Sequence, residues 1–229
     1  MKTIGIIFAM QEELIELKNY LHINKEKKIY DLTFYEATLN NQNIILTESG
    51  IGKTNAARTT QILIDYYKPE AIFNIGVAGG IAKNLEVGDI IISTSLVQHD
   101  FDITAFDHPK GYIPNIGNTI PIDNNLLNTT KNILNTNNVA YKEGVIASGD
   151  IFCTKESMAT QINTQFNALC VEMEGASIAQ TAHLSKTPCL VIRSISDCPD
   201  NHNKVTYEEF LETSSKRVAQ IMYTILINQ

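Results

Sequence analysis

The sequence predicts an α/β protein built as a three-layer sandwich, with a mixed central sheet flanked by helices on both faces. Short apolar runs of strand length alternate along the chain with segments whose apolar residues recur every three or four positions. Several of these runs are apolar throughout, as is typical of strands that are covered on both faces. No linker, repeat or low-complexity block interrupts the 229 residues, so we expect residues 1–229 to form one domain.

The first half of the chain begins with an apolar run that is followed by an amphipathic segment. Residues 4–9 predict a central strand, and the spacing of Leu14, Leu17 and Leu21 predicts a helix over 11–21. A turn at residues 40–41 joins two alternating segments into a predicted hairpin. The predicted strands of this half are 4–9, 34–39, 43–47, 71–76 and 89–97, and the predicted helices are 11–21 and 53–67.

The second half opens with a polar stretch over 99–121 that we expect to be a loop. After it the alternation of strands and helices resumes. The predicted strands are 145–148, 168–171 and 189–194, and the predicted helices are 126–134, 174–184 and a terminal amphipathic helix from residue 207. In such folds ligands bind at the carboxyl ends of the strands.

Composition argues against several classes of function. The formal net charge is −7 and no stripe of lysines and arginines offsets it, which argues against a nucleic-acid partner. No apolar stretch approaches the roughly 20 residues that a spanning helix needs, and the N-terminal run is too short for a signal peptide. We therefore expect a cytoplasmic protein without membrane contacts. The four cysteines and five histidines form no metal-binding pattern, so no metal or other cofactor is predicted.

The glycine-rich segment around Gly52-Lys53-Thr54 invites comparison with a nucleoside-triphosphate loop. That motif requires a glycine five residues before Gly52, and the chain has Thr47 there. We therefore predict a tight turn from strand to helix. The second glycine cluster, residues 76–80, follows a predicted strand and would let a ligand approach the backbone closely.

Acidic side chains follow four of the predicted strands. They are Glu12 and Glu13, Asp150, Glu172 and Glu174, and Asp197. If these strands are parallel, the acids meet at one edge of the sheet, where paired carboxylates suit the cleavage of a glycosidic bond. For any single acid, a helix cap is the better interpretation. We assign Glu12 and Asp150 to that role.

Eight segments, taken in order, resemble the 5′-methylthioadenosine/S-adenosylhomocysteine nucleosidases within the purine nucleoside phosphorylase-like family. They are 4–13, 49–53, 74–80, 87–89, 99–100 with 104–106, 148–150, 171–174 and 193–197. The resemblance implies a nucleoside phosphorylase/hydrolase-like fold, a homodimer, and hydrolysis of the bond between adenine and a 5′-thio-substituted ribose.

The resemblance also implies the catalytic roles. Asp197 would protonate adenine as the general acid, and Ser196 would help to hold the base. Glu13 would position or deprotonate the attacking water, and Glu174 would bind the ribose hydroxyls. Because an oxocarbenium-like sugar develops as adenine leaves, nearby carboxylates stabilise it, and Asp197 needs a raised pKa to carry its proton near neutral pH.

Further contacts follow from the same resemblance. Phe152 would stack on adenine and the Cys153 backbone would bond its edge, while the remaining residues would border the base or the sugar. The other expected substrate contacts are Met10, Val77, Gly79, Met173, Arg193 and, from the partner subunit, Phe106. Many relatives have serine at the position of Val77, which leaves the preference among 5′ substituents open.

Two alternative functions stay open. A phosphorylase of the same fold would need arginines for phosphate, and the chain has only Arg58, Arg193 and Arg217. A negatively charged Glu13 would also repel phosphate, so we favour water as the nucleophile. The second alternative is a nucleoside-binding module without turnover. The sequence does not rank methylthioadenosine, adenosylhomocysteine, deoxyadenosine or futalosine as the substrate.

Overall fold

One mixed sheet dominates the computed structural model, which describes residues 2–198 and 207–229. Within these residues it comprises ten strands: β1 Lys2–Phe8, β2 Ile23–Ile29, β3 Leu32–Leu39, β4 Gln42–Glu48, β5 Ala71–Gly80, β6 Ile90–Gln98, β7 Ile120–Pro121, β8 Lys142–Ser148, β9 Ala168–Glu172 and β10 Cys189–Asp197. The helices are α1 Gln11–Lys18, α2 Lys53–Tyr67, α3 Asn124–Thr136, α4 Glu156–Phe166, α5 Gly175–Leu184 and α6 Tyr207–Ile227, with a 3₁₀ turn at Thr104–Phe106.

Strand β5 is the centre of the sheet because it pairs with three neighbours. It runs parallel to β1 and β10, and its last two residues, Gly79 and Gly80, pair antiparallel with β9. Strands β8 and β6 continue from β9 back to β10, so five strands close into a ring. Outside the ring the sheet continues from β1 through β4 and β3 to β2.

Helices cover both faces of the sheet, as the alternation along β1 illustrates. Ile6 and Phe8 pack into a buried cluster with α1, α3 and α6. Ile7, which points the other way, packs with α2 and α5. This period of two places successive side chains in opposite layers. The predicted mixed sheet between layers of helices is confirmed.

The strand-to-helix turn at residues 49–52 is also as predicted. Gly50 and Gly52 both have positive φ angles, at 79° and 100°, so the turn uses backbone conformations that other residues adopt only under strain. Helix α2 then starts at Lys53.

Several boundaries differ from the sequence predictions. Helix α1 ends at Lys18, three residues early, and β5 runs on to Gly80 instead of ending at Gly76. Strand β2 and helix α4 were not predicted, because β2 is a charged edge strand and α4 is largely polar. The predicted loop 99–121 contains only the 3₁₀ turn and the short β7. Among the described residues, no helix is both long enough and apolar enough to cross a membrane.

Candidate active site

A cavity of about 470 Å³ opens where β1, β5, β9 and β10 end. Its walls come from these strand ends and from two loops that follow β4 and β8. The lining residues are Ala9, Met10, Glu13, Ile51, Val77, Ala78, Gly79, Ile151, Phe152, Cys153, Val171, Glu172, Met173, Glu174, Ser196 and Asp197. The predicted convergence of acids from separate strands is therefore present, with four carboxylates in one cavity.

Glu13 lies in the first turn of α1 and is only 1% exposed. Its Oε2 accepts hydrogen bonds from the backbone N–H groups of Ala9 at 3.1 Å and Met10 at 3.2 Å, and its Oε1 accepts one from Val77 at 2.9 Å. Burial raises the pKa of Glu13, although the nearby Arg193 guanidinium and these N–H groups act in the opposite direction. The carboxylate is thus fixed between the ends of β1 and β5.

Gly76 lies beside both the Glu13 carboxylate and the Arg193 guanidinium. A Cβ atom on Gly76 would overlap with both Glu13 Oε1 and Arg193 Nη1. The absence of a side chain therefore lets a carboxylate and a guanidinium approach the backbone of β5 from the same side. This is the close approach for which a glycine is needed within a strand.

Arg193 is fully buried on β10 and forms an ion pair with Glu172. Its Nη2 also donates to Asn74 Oδ1 at 2.6 Å. Glu172 in turn accepts hydrogen bonds from the hydroxyl of Ser148 and from the backbone N–H groups of Glu174 and Gly175, at 3.1 and 2.7 Å. Because Glu172 bonds both Arg193 and the backbone N–H groups of Glu174 and Gly175, this pair fixes the start of α5, where Glu174 sits.

Glu174 is 4% exposed and accepts a hydrogen bond from the backbone N–H of Gly52 at 2.8 Å. Burial, and then the negative charge of Glu172, raise the pKa of Glu174 to about 7. A carboxyl group with this pKa changes charge near neutral pH, which makes it sensitive to what binds beside it.

Asp197 is the last residue of β10 and also lines the cavity. Its Oδ1 accepts a hydrogen bond from Ser196 Oγ at 2.8 Å. Burial raises the pKa of Asp197, and the Ser196 hydroxyl opposes that shift. No cationic partner of Asp197 is found within the described part of the chain. The group is thus suited to carry a proton into the cavity.

The structure brings most of the predicted site residues together. Met10, Val77, Gly79, Phe152, Cys153 and Met173 all line the cavity with the acids described above. Arg193 does not line it, because its fully buried side chain lies behind Glu13 and Glu172. The expected contact of Arg193 with substrate does not fit this placement: Arg193 pairs instead with Glu172, which does face the cavity.

Phe106 also lies away from this cavity within one chain. It belongs to the 3₁₀ turn Thr104–Phe106 and is 75% exposed.

The two predicted helix caps, Glu12 and Asp150, differ from one another. Glu12 sits in the first turn of its own helix, whereas Asp150 accepts from the backbone N–H of Lys53 at 2.8 Å and so caps α2.

The sequence analysis assigned no individual contact or catalytic role to Glu172, Asn74, Ile51 or Ile151. Glu172 was visible as an acid at a strand end, and Asn74 as the one amide within the apolar run 71–78. A buried polar residue in such a run needs a partner, which was the available signal. Ile51 and Ile151 carry no such signal, because a loop isoleucine has no chemistry that marks a site.

Comparison with known proteins agrees with this geometry. The sequence model of the phosphorylase superfamily matches residues 3–227. A 5′-methylthioadenosine/S-adenosylhomocysteine nucleosidase from Halalkalibacterium halodurans is 40% identical over 227 residues, which cover 99% of this chain and 98% of that protein. The chain belongs to this nucleosidase family.

Solved structures of nucleosidases superpose closely on this chain. A mutant of the Helicobacter pylori nucleosidase with 5′-methylthioadenosine in its active site superposes with a TM-score of 0.95 at 35% identity, over 100% of both chains. The native futalosine hydrolase of the same organism gives 0.95 at 34% identity, over 100% of this chain and 98% of that one. Nucleosidases of this fold are thus similar over the whole length of the chain.

Proposed function

We propose that this protein hydrolyses the N-ribosidic bond of 5′-methylthioadenosine and S-adenosylhomocysteine, releasing adenine and the 5-thioribose product. The observation that carries the proposal is the convergence of Glu13, Glu174 and Asp197 on one cavity, each with a raised pKa. Related proteins named for this activity support the choice of substrate. 5′-Deoxyadenosine is a further candidate because it shares the adenine and an apolar 5′ position.

Asp197 acts as the general acid in this proposal. Adenine is a poor leaving group as an anion, so protonating its ring lowers the barrier to departure. Burial raises the pKa of Asp197, which favours retention of this proton. Ser196, which bonds Asp197, helps to hold the base. Phe152 stacks on adenine, and the backbone at Cys153 bonds its edge.

Glu13 and Glu174 act on the sugar side. Glu13 holds or deprotonates the water that attacks the anomeric carbon, and Glu174 binds the ribose hydroxyls. Met10 and Met173 border the sugar, with Val77 and Gly79 as the floor of the cavity. As adenine leaves, positive charge develops on the ribose and these two carboxylates stabilise it. No cofactor or metal takes part in the scheme.

Water is the better nucleophile for this site than phosphate. Phosphate sites are built from arginines that reach the ligand in a bidentate way. Arg193 is fully buried and already paired with Glu172, and Arg58 is paired with Asp31. Glu13 would repel phosphate from the sugar side. A binding module without turnover is disfavoured because it has no use for a buried acid on each side of the cavity.

A substrate panel tests the proposal. Purified protein is incubated separately with 5′-methylthioadenosine, S-adenosylhomocysteine, 5′-deoxyadenosine and futalosine, and the release of free base is followed by chromatography. We expect adenine from the first two nucleosides. Base release from futalosine alone would contradict the proposed substrates, and no release from any of the four would contradict the activity.

The proposal extends to a cytoplasmic homodimer in which Phe106 closes the partner subunit's 5′ pocket. The high exposure of Phe106 supports a contact outside its own chain. Subunit exchange between two variants tests the shared site. Asp197→Asn lacks the general acid but keeps Phe106, and Phe106→Ala keeps Asp197. A mixed dimer therefore contains one site with both residues intact. In a dimer, the mixture should show a lower KM than Phe106→Ala alone. An unchanged KM after subunit exchange would contradict the shared site.

A further inference from the structure

The Gly52-Lys53-Thr54 segment holds a side chain that the proposed reaction does not use. Lys53 begins α2, directly after the turn that carries Ile51 into the cavity wall. Its ammonium group donates to Asp100 Oδ1 at 2.7 Å and to Gln98 Oε1 at 3.1 Å. The side chains of Lys53 and Asp100 are only 18% and 17% exposed. A triphosphate role is therefore replaced by an internal ion pair.

Three segments are joined through this ion pair into a closed ring of hydrogen bonds. The backbone N–H of Lys53 donates to Asp150 Oδ1 at 2.8 Å, and the backbone N–H of Asp150 donates to Asp100 Oδ2 at 2.9 Å. Asp100 then accepts from the Lys53 ammonium, which closes the ring. We call Lys53, Asp100 and Asp150 the clasp.

Two of the three joined segments form neighbouring parts of the cavity wall. The turn before Lys53 contributes Ile51, and the loop after Asp150 contributes Ile151 and Phe152. Ile51 and Phe152 are each 53% exposed, and the Lys53 N–H joins the two segments that carry them. The backbone of Gly52, next to Lys53, also bonds Glu174 at 2.8 Å. The position of these walls therefore depends on the clasp.

The clasp adds little to folding stability but much to local geometry. An ion pair that keeps some contact with water contributes little to the stability of a protein. Burial alone would raise the pKa of Asp100, but the Lys53 ammonium and the Asp150 N–H hold it below its ordinary value. Asp100 thus stays ionised and the ring stays closed throughout the neutral range.

We propose that Lys53 is a positioning residue that sets the distance between the Ile51 wall and the Ile151–Phe152 wall, through Asp100 and Asp150. The inference rests on the proposed nucleosidase function. Lys53 does not reach the reacting atoms, so it acts on the fit of the nucleoside and leaves proton transfer alone. Its loss should weaken substrate and transition-state binding equally.

The test compares Lys53→Met with Lys131→Met. Lys131 forms a comparable surface ion pair with Glu143, at 2.8 Å and with side chains 28% and 33% exposed, far from the cavity. For Lys53→Met we expect KM for 5′-methylthioadenosine to rise about tenfold with kcat within about threefold of the unaltered protein. Lys53→Arg should recover part of the KM, and Lys131→Met should change neither constant.

A second readout does not depend on turnover. Hydrogen exchange of segments 49–53 and 149–155 should be at least about tenfold faster in Lys53→Met, because the N–H groups of Lys53 and Asp150 lose their fixed acceptors. If Lys53→Met does not fold, Asp100→Asn breaks the same ring and carries the same expectations. If the unaltered protein releases no adenine, the proposed function fails while this exchange measurement still tests the clasp.

Three results would overturn the proposal. Unchanged exchange in both loops would show that the clasp does not order them. Faster exchange with an unchanged KM would show that their order does not shape binding. A fall in kcat with KM unchanged would place Lys53 in the chemical step instead.

Discussion

In the proposed reaction Asp197 acts on the base and Glu13 acts on the sugar, and the two carboxyl groups have different surroundings. Asp197 is half-buried and bonded only to the Ser196 hydroxyl among the described contacts, so its protonated form is favoured. Burial also raises the pKa of Glu13, but Glu13 accepts three backbone N–H groups and lies beside Arg193, and these oppose the shift. The two carboxyl groups therefore differ in their hydrogen-bond and charge partners.

Replacing Asp197 by asparagine tests the general acid. Asparagine keeps the shape of the side chain and removes the titrating proton, so adenine release should fall about 10²–10⁴-fold. Binding of an unreactive adenine nucleoside analogue, measured by calorimetry, should change far less. Asp65→Asn, on the exposed face of α2, is the matched control. If Asp197→Asn keeps nearly the activity of the unaltered protein, Asp197 is not the general acid.

Glu174 gives a prediction about pH and stability. Its pKa of about 7 in the folded protein lies above the ordinary value of 4.5, so between these values the folded state binds more protons than the unfolded state. The free energy of unfolding should therefore decline as pH rises from about 4.5 to 7, by on the order of 1–3 kcal/mol from this group.

Denaturant titrations of Glu174→Gln and the unaltered protein at pH 5 and 7.5 measure that contribution as a difference. Glutamine does not titrate, so the variant should lose less stability between the two pH values. Equal pH dependence in both proteins would mean that Glu174 has an ordinary pKa in the fold.

Strand β5 is the element on which the site depends, because its end lies against β10, β9 and the carboxylate of Glu13. Gly76 and Gly79 lie three residues apart on it, and they have different neighbours. A Cβ on Gly76 would overlap with two charged side chains, whereas one on Gly79 would lie 3.4 Å from Asp197 Oδ2, an ordinary contact distance.

Alanine at these two glycines should therefore have different effects. Gly76→Ala should lower the free energy of unfolding by about 1–3 kcal/mol, since it overpacks a buried site, and it should also reduce activity. Gly79→Ala should leave stability nearly unchanged and raise KM, because the added methyl group projects into the cavity. Thermal unfolding and initial rates check both. Equal stability losses would contradict the role given to Gly76.

Most elements of the sheet could be predicted from the sequence because their apolar runs bury both faces, as in β1 and β5. Strand β2 could not, since its residues include Lys25, Lys27 and Lys28 and only pairing with β3 makes it a strand. The meeting of Glu13, Glu174 and Asp197 was predicted as a possibility. It depends on strand order, which no local pattern contains.

At the scale of the whole molecule, the closed ring of five strands explains why the acids meet. Strands β5, β9 and β10 end around one opening because β9 pairs with Gly79 and Gly80 across the end of β5. The helices on both faces hold this arrangement, and the loops joined by Lys53 form the rim.

The identity of the sugar product tests the central claim, that water attacks the ribose as adenine leaves. Purified protein is incubated with 5′-methylthioadenosine in the presence and absence of phosphate, and the products are separated and identified by mass spectrometry. We predict free 5-methylthioribose and adenine in equal amounts, at rates that do not depend on phosphate. A sugar 1-phosphate that forms only when phosphate is present would contradict hydrolysis and identify the protein as a phosphorylase.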